Sequence, residues 1–253
     1  MTGASSGASS GAATTLADHL TDAASTWLEG ARADVQQNPA LITRYFPVVS
    51  RRCGRAPLEA GDPQGLRHGT VDDAARGVLL GALRVSGQAR VDLLDDLYRH
   101  GDAGEKRGVL RGLHRLDTPG ADPANPSADP GTDPGIGPAL LALIDDALRT
   151  NDLRLIAAAV QPYGAHYLGA DAYRHAVVKC VFTGVPLHVV GNLAERQGPE
   201  LARMLVDLAH ERAAAGRGIP PDIHAVVAAF PACLDRPDLP AALLAALLPS
   251  PVA

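Results

Sequence analysis

From Thr15 to Leu248 the apolar residues of this chain recur three and four positions apart, the repeat of a helix that hides one face, and few of them are aromatic. Hydrophobic residues make up 46% of the 253 positions but aromatics only 4%, so a core must be assembled mainly from Ala, Leu and Val. That composition favours close helix packing over sandwiched sheets, and an all-α fold is expected. The length suffices for a substantial core without metal or disulfide support.

The first repeat runs through Leu16, Leu20, Trp27, Leu28, Ala31 and Val35, with Trp27 as a core anchor, and ends at Asn38-Pro39. A second helix carries Leu41, Ile42, Tyr45 and Phe46, after which SRRCGRAPLEAGDPQG reads as a basic loop with Arg51, Arg52 and Arg55. Thr70 and Asp73 form an N-cap with an acidic first turn ahead of Val71, Ala75, Val78, Leu79 and Leu83. Val91 to Tyr98 continues the pattern to Gly101, and Asp102 with Glu105 caps the next helix through Leu116. Consecutive antiparallel helices of this length suggest an array of the HEAT-like, helical-hairpin kind, although no repeat recurs at a fixed period.

Residues 1–14 are rich in Gly, Ser and Ala and should form a mobile tail, leaving residues 15–253 as a single helical domain. The stretch 117–138, DTPGADPANPSADPGTDPGIGP, reads as a disordered insertion in that domain. Net charge is −5 with both signs interspersed, which argues against nucleic-acid binding. Of 23 basic residues only Lys106 and Lys179 are lysines, a skew that with the high alanine content points to a GC-rich bacterial genome. Cys53, Cys180 and Cys233 are odd in number and far apart, as expected of free thiols in a reducing compartment. With no signal-like start and no span of apolar residues, the expectation is a soluble cytoplasmic protein.

The stretch from Asp145 to Ile223 is the richest in chemistry. Arg149, Thr150, Asn151 and Asp152 stand at a helix junction, where exposed backbone groups favour polar ligands. The structural alternative has Asn151 closing one helix in the left-handed conformation while Asp152 caps the next. Pro162 and Gly164 stop the run LRLIAAAVQ. Asp171 can cap the following helix and Gly184 can end it, and His175, Lys179 and Thr183 form one polar stripe along it. A buried helix with such a stripe needs a partner or a cavity. Lys179 suits an anion ligand, a proton donor or a desolvated amine nucleophile; equally, it can snorkel or pair with Asp152 or Glu211.

His166, His175, His188 and His210 have no metal-ligand spacing, so neither a metal nor a cofactor is expected. His210 and Glu211 are candidate ligand groups, but as helix neighbours they point apart, and a solvated face with an Arg203–Asp207 pair is the default. Cys180 reads as a small buried hydrophobe. The basic loop at Arg51, Arg52 and Arg55 suits an anionic metabolite or an acidic membrane surface, or is ordinary surface.

The motifs RRCGRAPL, DDALRTNDLRLIAAAVQPY, YRHAVVKCVFTGVPL and ELARMLVDLAHERAAAGRGIPPDI, in that order, resemble the EboA family of metabolite traffic proteins. The resemblance covers Arg51 to Ile223 and departs at Cys53, where a bulkier apolar residue is expected. It implies a place in a secondary-metabolite gene cluster alongside a membrane prenyltransferase, a cyclase and barrel proteins, and a part in moving a precursor from cytoplasm towards periplasm. It supplies no catalytic residues. The expected function is therefore a non-catalytic accessory protein that binds a small polar or anionic metabolite, or a pathway enzyme, through Arg149, Asn151, Asp152, His175, Lys179, His210 and Glu211, working in the cytoplasm or peripherally at the inner membrane. The rival is an enzyme acting on a cyclitol or sugar-derived intermediate, with Lys179 or a histidine as acid or base.

Overall fold

The computed structural model describes residues 15–117 and 136–247; the expected tail at 1–14 and most of the expected insertion lie outside the described residues. Every regular element among the described residues is helical, apart from one isolated bridge between Pro57 and Thr70, so the all-α expectation holds.

The first repeat divides in two. Leu16–His19 is a short 3-10 turn, the backbone extends at Leu20 and Thr21, and helix α1 runs Asp22–Gln37. Thr21 causes the restart, because its hydroxyl accepts from Ala24 N at 3.3 Å and so satisfies an N-terminal donor of α1. Trp27 is half-buried and meets Tyr45 edge-on at 6.1 Å. After α2, Ile42–Tyr45, comes α3, Val49–Cys53, and this corrects the basic loop: Arg51 and Arg52 are helical. Buried Val49 and Cys53, one turn apart, seat α3 on the core, and the loop starts only at Gly54, where φ is +92°. Arg55 lies in it, exposed.

Helices α4, Val71–Gly81, α5, Gly87–His100, and α6, Ala103–Asp117, stand where three helices are expected, although α4 stops at Gly81, short of Leu83. Their starts carry the expected caps: Thr70 N donates to Asp73 Oδ2 at 3.1 Å and Glu105 N to Asp102 Oδ1 at 2.8 Å. The pairing of α4 with α6 is the most extensive among the described residues. Two glycines on α6 permit it: a Cβ on Gly108 would stand 2.4 Å from Arg76 Cδ, and one on Gly112 would stand 2.4 Å from Leu80 Cδ1.

The remaining helices are α7, Leu141–Arg149, α8, Leu153–Ala159, α9, Pro162–Tyr167, α10, Ala170–Thr183, α11, Leu193–Arg196, α12, Pro199–Ala214, α13, Ile223–Ala229, and α14, Ala241–Leu247. Gly164 lies inside α9 and does not stop a helix there; Pro162, which provides no N–H, opens α9 in its first turn. Helix α6 packs on α8, and the flanks of the undescribed segment meet: Asp117 Oδ1 accepts from Gly137 N at 2.9 Å and from Tyr167 Oη at 3.0 Å. Helix α12 rests on α10 and α13. One continuous cluster of buried side chains runs from Leu28 to Leu247, each large aliphatic member contributing roughly 1.5–3 kcal/mol through its removal from water.

Candidate functional site

The ligand residues expected from sequence are only partly brought together. Lys179 Nζ donates to Asn151 Oδ1 at 2.9 Å, joining the α7–α8 junction to α10. The carboxylate partners expected for Lys179, Asp152 and Glu211, are not its partners: Asp152 uses Oδ1 to accept from Arg154 N at 2.8 Å and Leu155 N at 3.2 Å as the N-cap of α8, and Glu211 is exposed on α12. Asn151 is not left-handed, because α7 closes on Thr150 in the extended conformation with the Thr150 hydroxyl donating to Ala147 O at 2.8 Å.

The stripe on α10 faces outward: His175 is exposed, Lys179 and Thr183 are half-buried, and the Thr183 hydroxyl returns to Lys179 O at 2.8 Å. Asp171 does not cap this helix, which begins at Ala170 behind Gly169; it pairs instead with Arg174. Arg149 is exposed and His210 half-buried, and the Arg203–Asp207 pair expected on α12 is present at 2.9 Å. None of the seven expected residues lines the four cavities described below. Among the described residues no three His, Cys, Asp or Glu side chains are grouped to hold a metal ion.

Concavity is concentrated at the turn after α10. Gly184, at φ +92°, ends that helix, with its N–H and that of Val185 both donating to Cys180 O at 2.9 Å. Pro186 then starts a single 3-10 turn, Leu187–Val189. Asp222 accepts from Leu187 N at 2.9 Å, and Gly191 is held by its N–H to Val160 O at 2.9 Å and its carbonyl to Tyr173 Oη at 2.8 Å. Exposed His188 stands where three depressions meet. One of about 580 Å³ includes Thr183 and Arg212, one of about 610 Å³ includes Leu193 and Ala225, and one of about 460 Å³ lies against residues 59–68. Phe182, 57% exposed, stands beside the first.

The third depression has the most varied chemistry. Its walls bring His188, Pro186 and Leu153 opposite Glu59, Arg67 and His68. Asp62 organises the opposite wall, accepting from Leu66 N and Arg67 N at 2.9 Å and from His68 N at 2.8 Å. Burial alone would raise its carboxyl, but those three N–H groups and nearby His68 bring it below the ordinary carboxylate value. Sequence reasoning missed this cleft because His68 and His188 are 120 positions apart and neither sits in a motif.

A second polar cluster, also unforeseen, is buried between α3, α4 and α6. Asp72 accepts from Arg76 Nη1 at 2.8 Å, from the Thr70 hydroxyl at 2.6 Å and from the Ser50 hydroxyl at 2.9 Å; Asp73 accepts from Arg107 Nε at 2.7 and 2.8 Å. Arg111 Nη1 and Nη2 donate to Gln161 Oε1 and to the carbonyls of Gly65, Leu66 and Arg67, fixing the base of the 59–68 wall. Burial disfavours the Arg111 cation, an effect that Asp73 partly offsets. An Asp–Arg pair at i, i+4 reads in sequence as a solvated helix face; the clue to its burial was the spacing of Gly104, Gly108 and Gly112 along α6.

Residues 142–228 match the family model for metabolite traffic protein EboA. The EboA match begins within α7, ends within α13 and takes in the turn at His188, whereas residues 59–68 and the arginine cluster precede it. It overlaps the longer span, Arg51 to Ile223, over which the motifs resemble that family, and continues beyond Ile223 to residue 228. Comparison with curated proteins and with solved structures found no match. Among the described residues no helix is long and apolar enough to cross a membrane.

Proposed function

We propose that this chain is a non-catalytic metabolite-handling protein that holds a small polar metabolite in the cleft between residues 59–68 and the turn at His188. The observation that carries the reading is the cleft itself. Its volume of about 460 Å³ falls within the roughly 300–1,000 Å³ of small-molecule sites, and it combines apolar Leu153 and Pro186 with His68, His188, Arg67 and Glu59. One wall belongs to the segment matching a family described by metabolite traffic. A binding role is favoured by the state of the nucleophiles. The Lys179 amine is engaged by Asn151 outside the cleft, and burial pushes the Cys53 thiol up to about 11 and the Cys180 thiol up to about 12. In this reading the cargo is a secondary-metabolite precursor, exchanged in the bacterial cytoplasm with enzymes of the same gene cluster, a membrane prenyltransferase among them.

Two imidazoles in one cleft favour a second reading, acid–base chemistry on a cyclitol. Calorimetric titration with myo-inositol and with its monophosphate, followed by product analysis, separates the two. Saturable heat without product, lost in Leu153→Trp, supports binding; turnover abolished by His188→Ala supports the enzyme. Absence of saturable heat with either compound, or binding indifferent to Leu153→Trp, removes the cleft reading.

A further inference from the structure

Beside the cleft, on the far side of Arg67 and His68, lies a smaller cavity of about 180 Å³ between α4 and α6. The cationic groups lining it are Arg67, Arg111 and Arg115, beside the His68 imidazole and against the single carboxylate of Asp73. That carboxylate is already engaged: Arg107 Nε holds both of its oxygens and Thr70 N donates to Oδ2 at 3.1 Å. Arg111 Nε lies 3.4 Å from the same oxygen without forming a hydrogen bond. In the network behind the cavity, the guanidinium groups of Arg76, Arg107 and Arg111 stand against the carboxylates of Asp72 and Asp73, with Asp62 also acting on Arg111 and Glu105 on Arg76.

Arg111, whose side chain is only 10% exposed, brings a buried guanidinium to the cavity whose terminal nitrogens are taken by backbone carbonyls and Gln161, while its Nε has no hydrogen-bond partner. Further donors come from the rim. Arg67 and Arg115 are exposed and form no ion pair among the described residues. Because Gly77 raises no side chain from α4, Arg115 Nη1 lies 3.6 Å from where a Cβ would stand, over the cavity floor. Two guanidinium forks without an ion pair among the described residues, beside the buried Arg111 guanidinium and in a space several times the ~30 Å³ share of one water, match a tetrahedral oxyanion with part of its hydration shell.

We propose that this cavity binds a phosphate group, with Arg67 and Arg115 as its hydrogen-bond donors and Arg111 as its source of field. The same chemistry serves free phosphate and the phosphate of an esterified metabolite whose remainder lies in the adjoining cleft. The proposal does not depend on the cleft reading, since inorganic phosphate alone is the first probe.

The test is calorimetric titration of the full chain at low ionic strength with inorganic phosphate, then with myo-inositol monophosphate. Arg67 and Arg115 are exposed and form no ion pair among the described residues, so Arg67→Gln and Arg115→Gln leave the folded core untouched. Each is expected to weaken phosphate binding roughly tenfold, and the double variant to abolish it. Arg99→Gln, at a surface arginine paired with Asp95 away from the cavity, and Leu153→Trp, which fills the cleft, should leave phosphate affinity unchanged. Tighter binding of the monophosphate than of phosphate, with the difference erased by Leu153→Trp, identifies an esterified metabolite; equal affinities identify free phosphate. Lack of saturable phosphate binding to the unsubstituted protein, or full affinity in the double variant, overturns the proposal.

Discussion

The contact between α4 and α6 leads to a pair of substitutions with opposite signs. Gly108 sits in the interior of α6, where replacing glycine by alanine ordinarily gains about 1 kcal/mol of helix propensity. Here the new Cβ would lie 2.4 Å from Arg76 Cδ, 3.1 Å from its Cβ and 3.3 Å from its Cγ. The Arg76 side chain has no ready escape, because it is 1% exposed and its guanidinium reaches Phe46 O, Ser50, Asp72 and Gly104 O at once. Overpacking a filled core costs about 1–3 kcal/mol. Freeing the guanidinium from Asp72 adds part of the roughly 3–5 kcal/mol that a broken buried pair represents. Setting the propensity gain against these, Gly108→Ala should destabilise by about 2 kcal/mol. Gly30, in the interior of α1, has nothing within 4 Å of a built Cβ, so Gly30→Ala should stabilise by about 0.5–1 kcal/mol. Urea unfolding followed by circular dichroism should show the midpoints moving in opposite directions at constant slope. In thermal unfolding of a chain this long, each kcal/mol corresponds to roughly 2–4 °C. A Gly108→Ala protein as stable as Gly30→Ala would refute the claim that α6 needs glycine to admit Arg76.

Two further outcomes follow from the same geometry. Burial alone would raise the Asp72 carboxyl, but the Thr70 hydroxyl, Arg107 and Arg76 outweigh it and hold the group below its ordinary value. With the folded value depressed, its contribution should be complete above about pH 5 and lost as pH falls through ~4 towards that folded value; urea midpoints measured across this range should fall less steeply in Asp72→Asn than in the unsubstituted protein. Lys179→Met removes one hydrogen bond at a half-buried position, so it should destabilise by about 1 kcal/mol or less and leave cleft binding unchanged; a calorimetric titration in which the variant no longer binds would return Lys179 to the site.

What the sequence reveals is whatever is set within a turn or two of the chain. Thr70 with Asp73, Asp102 with Glu105 and Gly184 each act on backbone groups a few positions away, and all three take their expected places. The same range explains the errors at Asn151 and Asp171. Several nearby residues were competent to end or start those helices, and the choice fell to Thr150, whose hydroxyl returns to Ala147 O, and to Gly169, so the element was legible and its boundary was not. The polar stripe on α10 has the expected periodicity, but its exposure was not legible, since which side of a helix meets solvent depends on neighbours remote in sequence.

The unforeseen features share that dependence, and they are linked. Gly108 and Gly112 let α6 approach α4, which encloses the arginines that α6 carries on that side; enclosed, Arg107 fixes Asp73 and Arg111 grips the carbonyls of residues 65–67. Those carbonyls belong to the wall whose other face lines the cleft opposite His188. Gln161, within the EboA-matching segment, donates to Leu66 O and Arg67 O at 3.2 and 2.7 Å and so fastens the wall from the other side. The cleft and the arginine cavity are thus two sides of one loop that holds its shape only while α6 stays pressed on α4. A substitution at Gly108, which lines neither hollow, therefore acts on both by displacing the helix that carries Arg111.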